Sequence, residues 1–115
     1  MATWCINCKM QMENVKNAIP LLEGDRHVVI TLSVETELPP EELKAYADKG
    51  GYEWLFAVAS EDMVKAIVDE FGRSVMVPPS TPHFYVFPDG TFSELKTGGE
   101  DAESIVETMN QASGT

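Results

Sequence analysis

Trp4-Cys5-Ile6-Asn7-Cys8-Lys9 opens a stretch in which Cys8, Met12, Val15, Ile19 and Leu22 recur at the spacing of one helix face. A helix is therefore expected to begin at the cysteine pair. Pro20 stops it near Ala18, and the Gly24-Asp25 pair closes the segment. Next comes an almost unbroken β-branched and apolar run, residues 28–34, which predicts a central strand buried on both faces of a parallel sheet. Pro39-Pro40-Glu41-Glu42 has the proline and early carboxylates of a helix start, with Leu43, Tyr46 and Ala47 on the inner face and Gly50-Gly51 as the stop. Residues 54–59 read as a short strand. Ser60 then caps a helix whose first turn holds Glu61 and Asp62, whose core side is Met63, Ile67, Val68 and Phe71, and which ends at Gly72.

Residues 75–82 are proline-rich and irregular, and Pro88-Asp89-Gly90 turns a hairpin between 84–87 and 91–95. After Gly98-Gly99 a last helix, 101–111, buries Ala102, Ile105, Val106 and Met109. Helices and strands in alternation predict an α/β sandwich, a central mixed sheet with helices on both faces, closed by an antiparallel hairpin and a covering helix. With 115 residues the chain has room for one core, so a single domain, 1–115, is expected.

A composition 43% hydrophobic and 23% charged is that of a folded chain rather than a disordered tail. Eight Lys and Arg against nineteen Asp and Glu give a net charge of -11, which repels phosphate backbones and anionic headgroups and argues against nucleic-acid and membrane-surface binding. No apolar run approaches the ~20 residues that span a bilayer, so no direct membrane insertion is expected. The four residues before Cys5 are too few for a signal peptide, although a removed leader or anchor is compatible with the sequence.

The chain has two cysteines, both in the C-x-x-C, so redox or metal chemistry is the leading question. At a helix start, unpaired backbone N–H groups and the positive dipole end face the Cys5 sulfur and favour thiolate over thiol. Cys8, about one turn later, is expected to lie inward and less exposed. Cys5 then attacks a partner disulfide and Cys8 resolves the mixed disulfide, or the reverse when the pair is delivered oxidised. A bare C-x-x-C is also compatible with a structural disulfide or two inert core thiols. Half of a zinc site is a further reading, but zinc normally takes four ligands and only His27 and His83 remain as good additional ones.

These residues resemble the thioredoxin superfamily, specifically its TlpA-like and ResA-like thiol-disulfide oxidoreductases. The likeness is carried by Ala2-Thr3-Trp4-Cys5 with Cys8-Lys9, the strand at 28–34, the added helix at 41–50, Phe71-Gly72, and Thr81-Pro82 followed by an aromatic strand and Pro88-Asp89-Gly90. The resemblance implies catalytic Cys5 and Cys8, with Trp4, Thr81 and Pro82 binding the substrate. It implies a cis bond before Pro82 that leaves the Thr81 backbone free to pair with an extended partner. It further implies no cofactor beyond the redox-active disulfide, protein thiols and disulfides as partners, a membrane electron donor, service to apocytochrome c, and an extracytoplasmic, membrane-tethered site.

The sequence also departs from that pattern. Only four residues precede Cys5, so the family's first strand is missing or much shortened, and an open edge there would invite a homodimer or segment exchange. Gln11 stands where ResA-like proteins carry an acid and cannot take a proton from Cys8; Glu13, two positions on, points elsewhere. His83 follows Pro82 and could bring an imidazole near the sulfurs, tuning Cys5 or joining a metal site, or could be an ordinary strand-start histidine, as His27 is taken to be. Trp4 is expected to shield the sulfurs and offer an apolar platform, Lys9 to be solvated, and Met10 and Met12 to fill the core.

The expected function is reduction, less readily oxidation, of protein disulfides. The rivals are a soft-metal or copper-delivery module using Cys5, Cys8 and His83, and a noncatalytic interaction domain.

Overall fold

The computed structural model describes residues 1–22 and 27–113. Helix α1, Ile6–Ala18, begins at Cys5 as its cap and gives way to a 3-10 turn, Ile19–Leu21, which Pro20 enters at a position where its missing N–H costs nothing. The Gly24-Asp25 stop lies outside the described residues. Strand β1, Ile30–Ser33, leads to α2, Pro40–Gly50, with Glu41 and Glu42 in its first turn. Gly51 ends α2 in the left-handed region, φ 70°, its N–H reaching back to Ala47 O and Asp48 O.

Strand β2, Leu55–Val58, runs parallel to β1 in the register Ile30 to Leu55 through Ser33 to Val58. Helix α3, Glu61–Phe71, follows, capped by Ser60 Oγ, which accepts the Met63 N–H at 3.1 Å. Two further 3-10 turns, Arg73–Met76 and Pro78–Ser80, fill the proline-rich stretch. In place of the expected hairpin strands at 84–87 and 91–95 stand two isolated antiparallel bridges, His83 with Lys96 and Val86 with Phe92, and the chain turns where Gly90 N–H donates to Phe87 O at 2.9 Å. Helix α4, Ala102–Ser113, packs against α1.

The fold is thus mixed α/β around a small two-stranded parallel sheet among the described residues. Residue 1 adds one rung: Met1 N donates to Leu32 O at 2.8 Å and Val34 N–H to Met1 O at 3.0 Å. Those groups point away from β2, because Ser33 O, the intervening carbonyl, accepts from Ala59 N–H at 2.9 Å.

The expectation of a strand buried on both faces is corrected. Thr31 and Ser33 are buried, but Ile30 is 59% and Val28 68% exposed. The inner face carries small polar side chains that fit under helices: Thr31 Oγ1 accepts Trp54 Nε1–H at 2.8 Å and donates to Met12 Sδ at 3.6 Å. The outer face is open at Ile30 and at its partner Leu55, 60% exposed. Helix α3 has no fully buried residue, and Met63, expected in the core, is 45% exposed. Phe71 anchors the end of α3 instead, its ring 4.7 Å from Phe84 and 5.6 Å from Phe92 of the hairpin.

The apolar interior therefore concentrates on the inner side. Met12, Ala47 and Tyr52 are buried there, with Tyr46, Trp54 and Phe56 packed against them in a ladder of rings. Of the residues expected on the inner face of α4, Ile105 is buried, and Ala102, Val106 and Met109 are half-buried. Met12 lies in the core as expected, whereas Met10 points to solvent. No helix among the described residues is long and apolar enough to cross a membrane.

Candidate functional site

Cys5 holds an extended conformation, φ -89° and ψ 117°, and its Sγ accepts the Cys8 N–H at 3.1 Å. The sulfur thereby caps α1 in the place usually taken by a Ser or Asp oxygen. The first turn of α1 has no acidic residue, so the positive end of the helix is left to the sulfur. Cys8 Sγ, one turn on, donates to Pro78 O at 3.1 Å. Asn7 Nδ2 donates to Pro79 O at 3.0 Å, so the motif and the Pro78–Ser80 turn clasp each other through two carbonyls.

Both thiols are free. The expected contrast in exposure is corrected: Cys5 is 3% and Cys8 2% exposed. Ala2 and Met1 pack over them, held by the Met1 rung on β1 and by Glu35, whose Oε1 accepts Thr3 N–H and, at 3.0 Å, Thr3 Oγ1–H. Trp4, expected to shield the sulfurs, is 65% exposed. Burial, then the hydrogen bond with Cys5, pushes the Cys8 thiol up to about 11.

The bond between Thr81 and Pro82 is trans, against the expectation of cis. The chain reverses instead through Thr81 itself, which sits in the left-handed region at φ 48° and closes the 3-10 turn by donating its N–H to Pro78 O at 2.8 Å. A β-branched residue rarely adopts this conformation, and it costs of order 1–3 kcal/mol. Thr81 O lies 2.8 Å from His83 Nδ1. The Thr81 N–H is therefore spent within the turn rather than left free for an incoming chain.

His83 is not brought to the sulfurs as a third ligand. Its Nε2 lies 2.9 Å from Glu100 Oε1, so both ring nitrogens face acceptor oxygens, and the ring makes both bonds only when both carry hydrogen. Tyr85 OH donates to the same Glu100 oxygen at 2.6 Å, and Ser104 Oγ–H to the other at 2.7 Å. Burial alone would raise Glu100, but the bonds from Tyr85, Ser104 and His83 prevail and hold its carboxyl below the ordinary value. Burial, with the Glu100 bond, drives Tyr85 far up, so it stays a donor. Among the described residues no group of three His, Cys, Asp or Glu side chains is placed to hold a metal ion.

Gln11, the residue in the family's acidic position, is buried and bonds the Glu100 backbone twice: Nε2–H to O at 3.2 Å, and Glu100 N–H to Oε1 at 2.9 Å. It ties α1 to the segment entering α4. Sequence reasoning missed Glu100, Tyr85, Glu35 and the Pro78 carbonyl because their partners are far away in the chain, without a spacing to reveal them. Tyr46 was read only as an inner-face residue of its helix. No family model, curated protein or solved structure matches the chain.

Proposed function

We propose that the chain is a thiol-disulfide oxidoreductase of thioredoxin-like type, with Cys5 as nucleophile and Cys8 as resolving thiol. The observation that carries this reading is the sulfur cap: Cys5 Sγ receives the Cys8 N–H at 3.1 Å at a helix start without a carboxylate. Negative charge on that sulfur meets a backbone donor and the positive end of the dipole. The Cys5 thiolate attacks one sulfur of a partner disulfide, and the other partner sulfur leaves with the electron pair and takes a proton. Cys8, once deprotonated, attacks the Cys5 sulfur. The Cys5–Cys8 bond forms, the second partner sulfur leaves, and two electrons have passed from the dithiol to the partner.

Access to Cys5 requires the Met1–Ala2 cover to move, after which Trp4 and Ile6 flank the sulfur as exposed apolar surface. Protein disulfides are the proposed substrates; a membrane donor, apocytochrome c and an extracytoplasmic site rest on the resemblance alone. The copper-delivery reading is disfavoured because it needs His83 beside the sulfurs, and that ring is bound to Thr81 and Glu100.

The test is turnover of a protein disulfide with a chemical reductant in excess. Wild type is expected to accelerate reduction and Cys5→Ser to abolish the acceleration. Equal rates for the two would leave a noncatalytic interaction domain.

A further inference from the structure

We propose that Glu35 is the latch of a cover over the two sulfurs: its carboxylate holds residues 1–3 in place beside β1, and its release of Thr3 is the step that opens Cys5 to a partner. The inference rests on the dithiol reading above and adds to it the control of access.

Exchange with a partner disulfide needs an open line to the attacking sulfur, yet Cys5 and Cys8 are both enclosed. What encloses them is local. Ala2, 1% exposed, forms one buried cluster with the two cysteines, and Met1 packs against it. The turn from Ala2 to Cys5, closed by Cys5 N–H to Ala2 O at 3.2 Å, joins this cover to α1. Two fastenings hold the cover to the rest of the fold. Before Ala2, the Met1 rung uses main-chain groups alone, Met1 N to Leu32 O at 2.8 Å and Val34 N–H to Met1 O at 3.0 Å. After Ala2, Glu35 Oε1 accepts both Thr3 N–H and Thr3 Oγ1–H, the latter at 3.0 Å.

The second fastening depends on one half-buried side chain, so rotation of that side chain frees Thr3 without taking the sheet apart. A single rung then holds the segment, and isolated rungs at a sheet edge open readily. The backbone of Glu35 is itself fixed. Its N–H donates to Oγ of the fully buried Ser33 at 3.2 Å, and its carbonyl accepts Leu38 N–H at 2.9 Å. The carboxylate is thus presented to Thr3 from a rigid base just past the end of β1, and only side-chain torsions change on release. Bonds to a carboxylate are roughly twice as strong as bonds between neutral groups, so their loss moves the opening equilibrium by an amount that labelling can read.

The test measures alkylation of Cys5 in the full chain by iodoacetamide, an uncharged reagent, with the labelled cysteine identified by mass. When closing outpaces labelling, the rate is the intrinsic rate multiplied by the open fraction, so rate ratios report the opening equilibrium. Glu35→Ala removes both bonds and is expected to speed labelling about thirtyfold. Thr3→Val removes the hydroxyl bond, leaves the carboxylate charge in place, and is expected to speed it about fivefold. Ser60→Ala weakens the fold at the start of α3 without touching the cover, and is expected to stay within about twofold of wild type. Labelling unchanged in either Glu35→Ala or Thr3→Val overturns the inference, since an acceleration confined to Glu35→Ala traces to charge near the sulfur. An equal acceleration in Ser60→Ala also overturns it, because opening is then global unfolding. These readings do not depend on turnover: a wild type that labels as expected yet fails to reduce a protein disulfide overturns the dithiol reading and leaves the latch standing.

Discussion

Helices α1 and α3 start with the same hydrogen bond made by different atoms. Ser60 Oγ accepts the N–H three residues on at 3.1 Å, and Cys5 Sγ does so at the same 3.1 Å. The surroundings are opposite. Around Ser60 the first turn carries Glu61 and Asp62, whose charges satisfy the dipole, and the cap faces solvent. Around Cys5 the first turn carries no acid, in a chain with nineteen Asp and Glu, and the cap is buried. Helices α2 and α4 also place acids in their first turns. The α3 start neutralises its helix end with two carboxylates; the α1 start has none and sets a cysteine sulfur there instead.

The largest effect is expected from exchanging the capping atom. Cys5→Ser keeps a good capping oxygen, so urea unfolding is expected to change by no more than about 1 kcal/mol. Disulfide turnover should nevertheless fall to the uncatalysed rate, because a hydroxyl is not a thiolate. The second effect concerns what fastens α1 beyond its cap. Glu100→Gln puts an amide among the donors of Tyr85, Ser104 and His83 and is expected to cost about 2 kcal/mol at neutral pH. Because the folded carboxyl lies below its ordinary value of 4.5, its contribution is present above that value and lost as pH falls through the folded one. Unfolding measured against pH should therefore show wild type and Glu100→Gln converging in acid.

Ser60→Ala should remove about 1 kcal/mol of stability with turnover unchanged, confirming that the α3 cap only stabilises. The smallest effect should come from giving α1 what α3 has. Ile6 is exposed, so Ile6→Glu places a carboxylate beside the sulfur without disturbing the core. A helix-end charge is worth about 0.3–1 kcal/mol, so alkylation of Cys5 near neutral pH should slow by a factor of about two to five.

Element ends were legible in the sequence because they depend on local chemistry. Pro39-Pro40 with its glutamates, Ser60, Gly51 and Gly72 mark boundaries that the structure keeps within a residue or two. The cysteine cap was legible for the same reason. What failed to show depended on distant partners. The apolar run at β1 does not reveal that Val28 and Ile30 stay exposed, so both looked like core. Gln11 gives no sign that it will bond Glu100, or His83 that its ring belongs to Thr81 and Glu100. Thr81-Pro82 suggested a cis bond by resemblance, whereas the turn is made by the Thr81 dihedrals. The cover over Cys5 depends on Met1 pairing with β1, which four residues of sequence do not encode visibly.

Cys5 and Cys8 are proposed to form one redox couple. It is tested most directly by equilibrating metal-free protein in defined thiol-disulfide buffers, trapping free thiols by alkylation and weighing the products. A reversible two-electron transition involving both cysteines is expected, nearer the ~-270 mV of thioredoxin than the ~-120 mV of a strong oxidant. Two thiols that stay reduced across that range, or that oxidise independently, would contradict it.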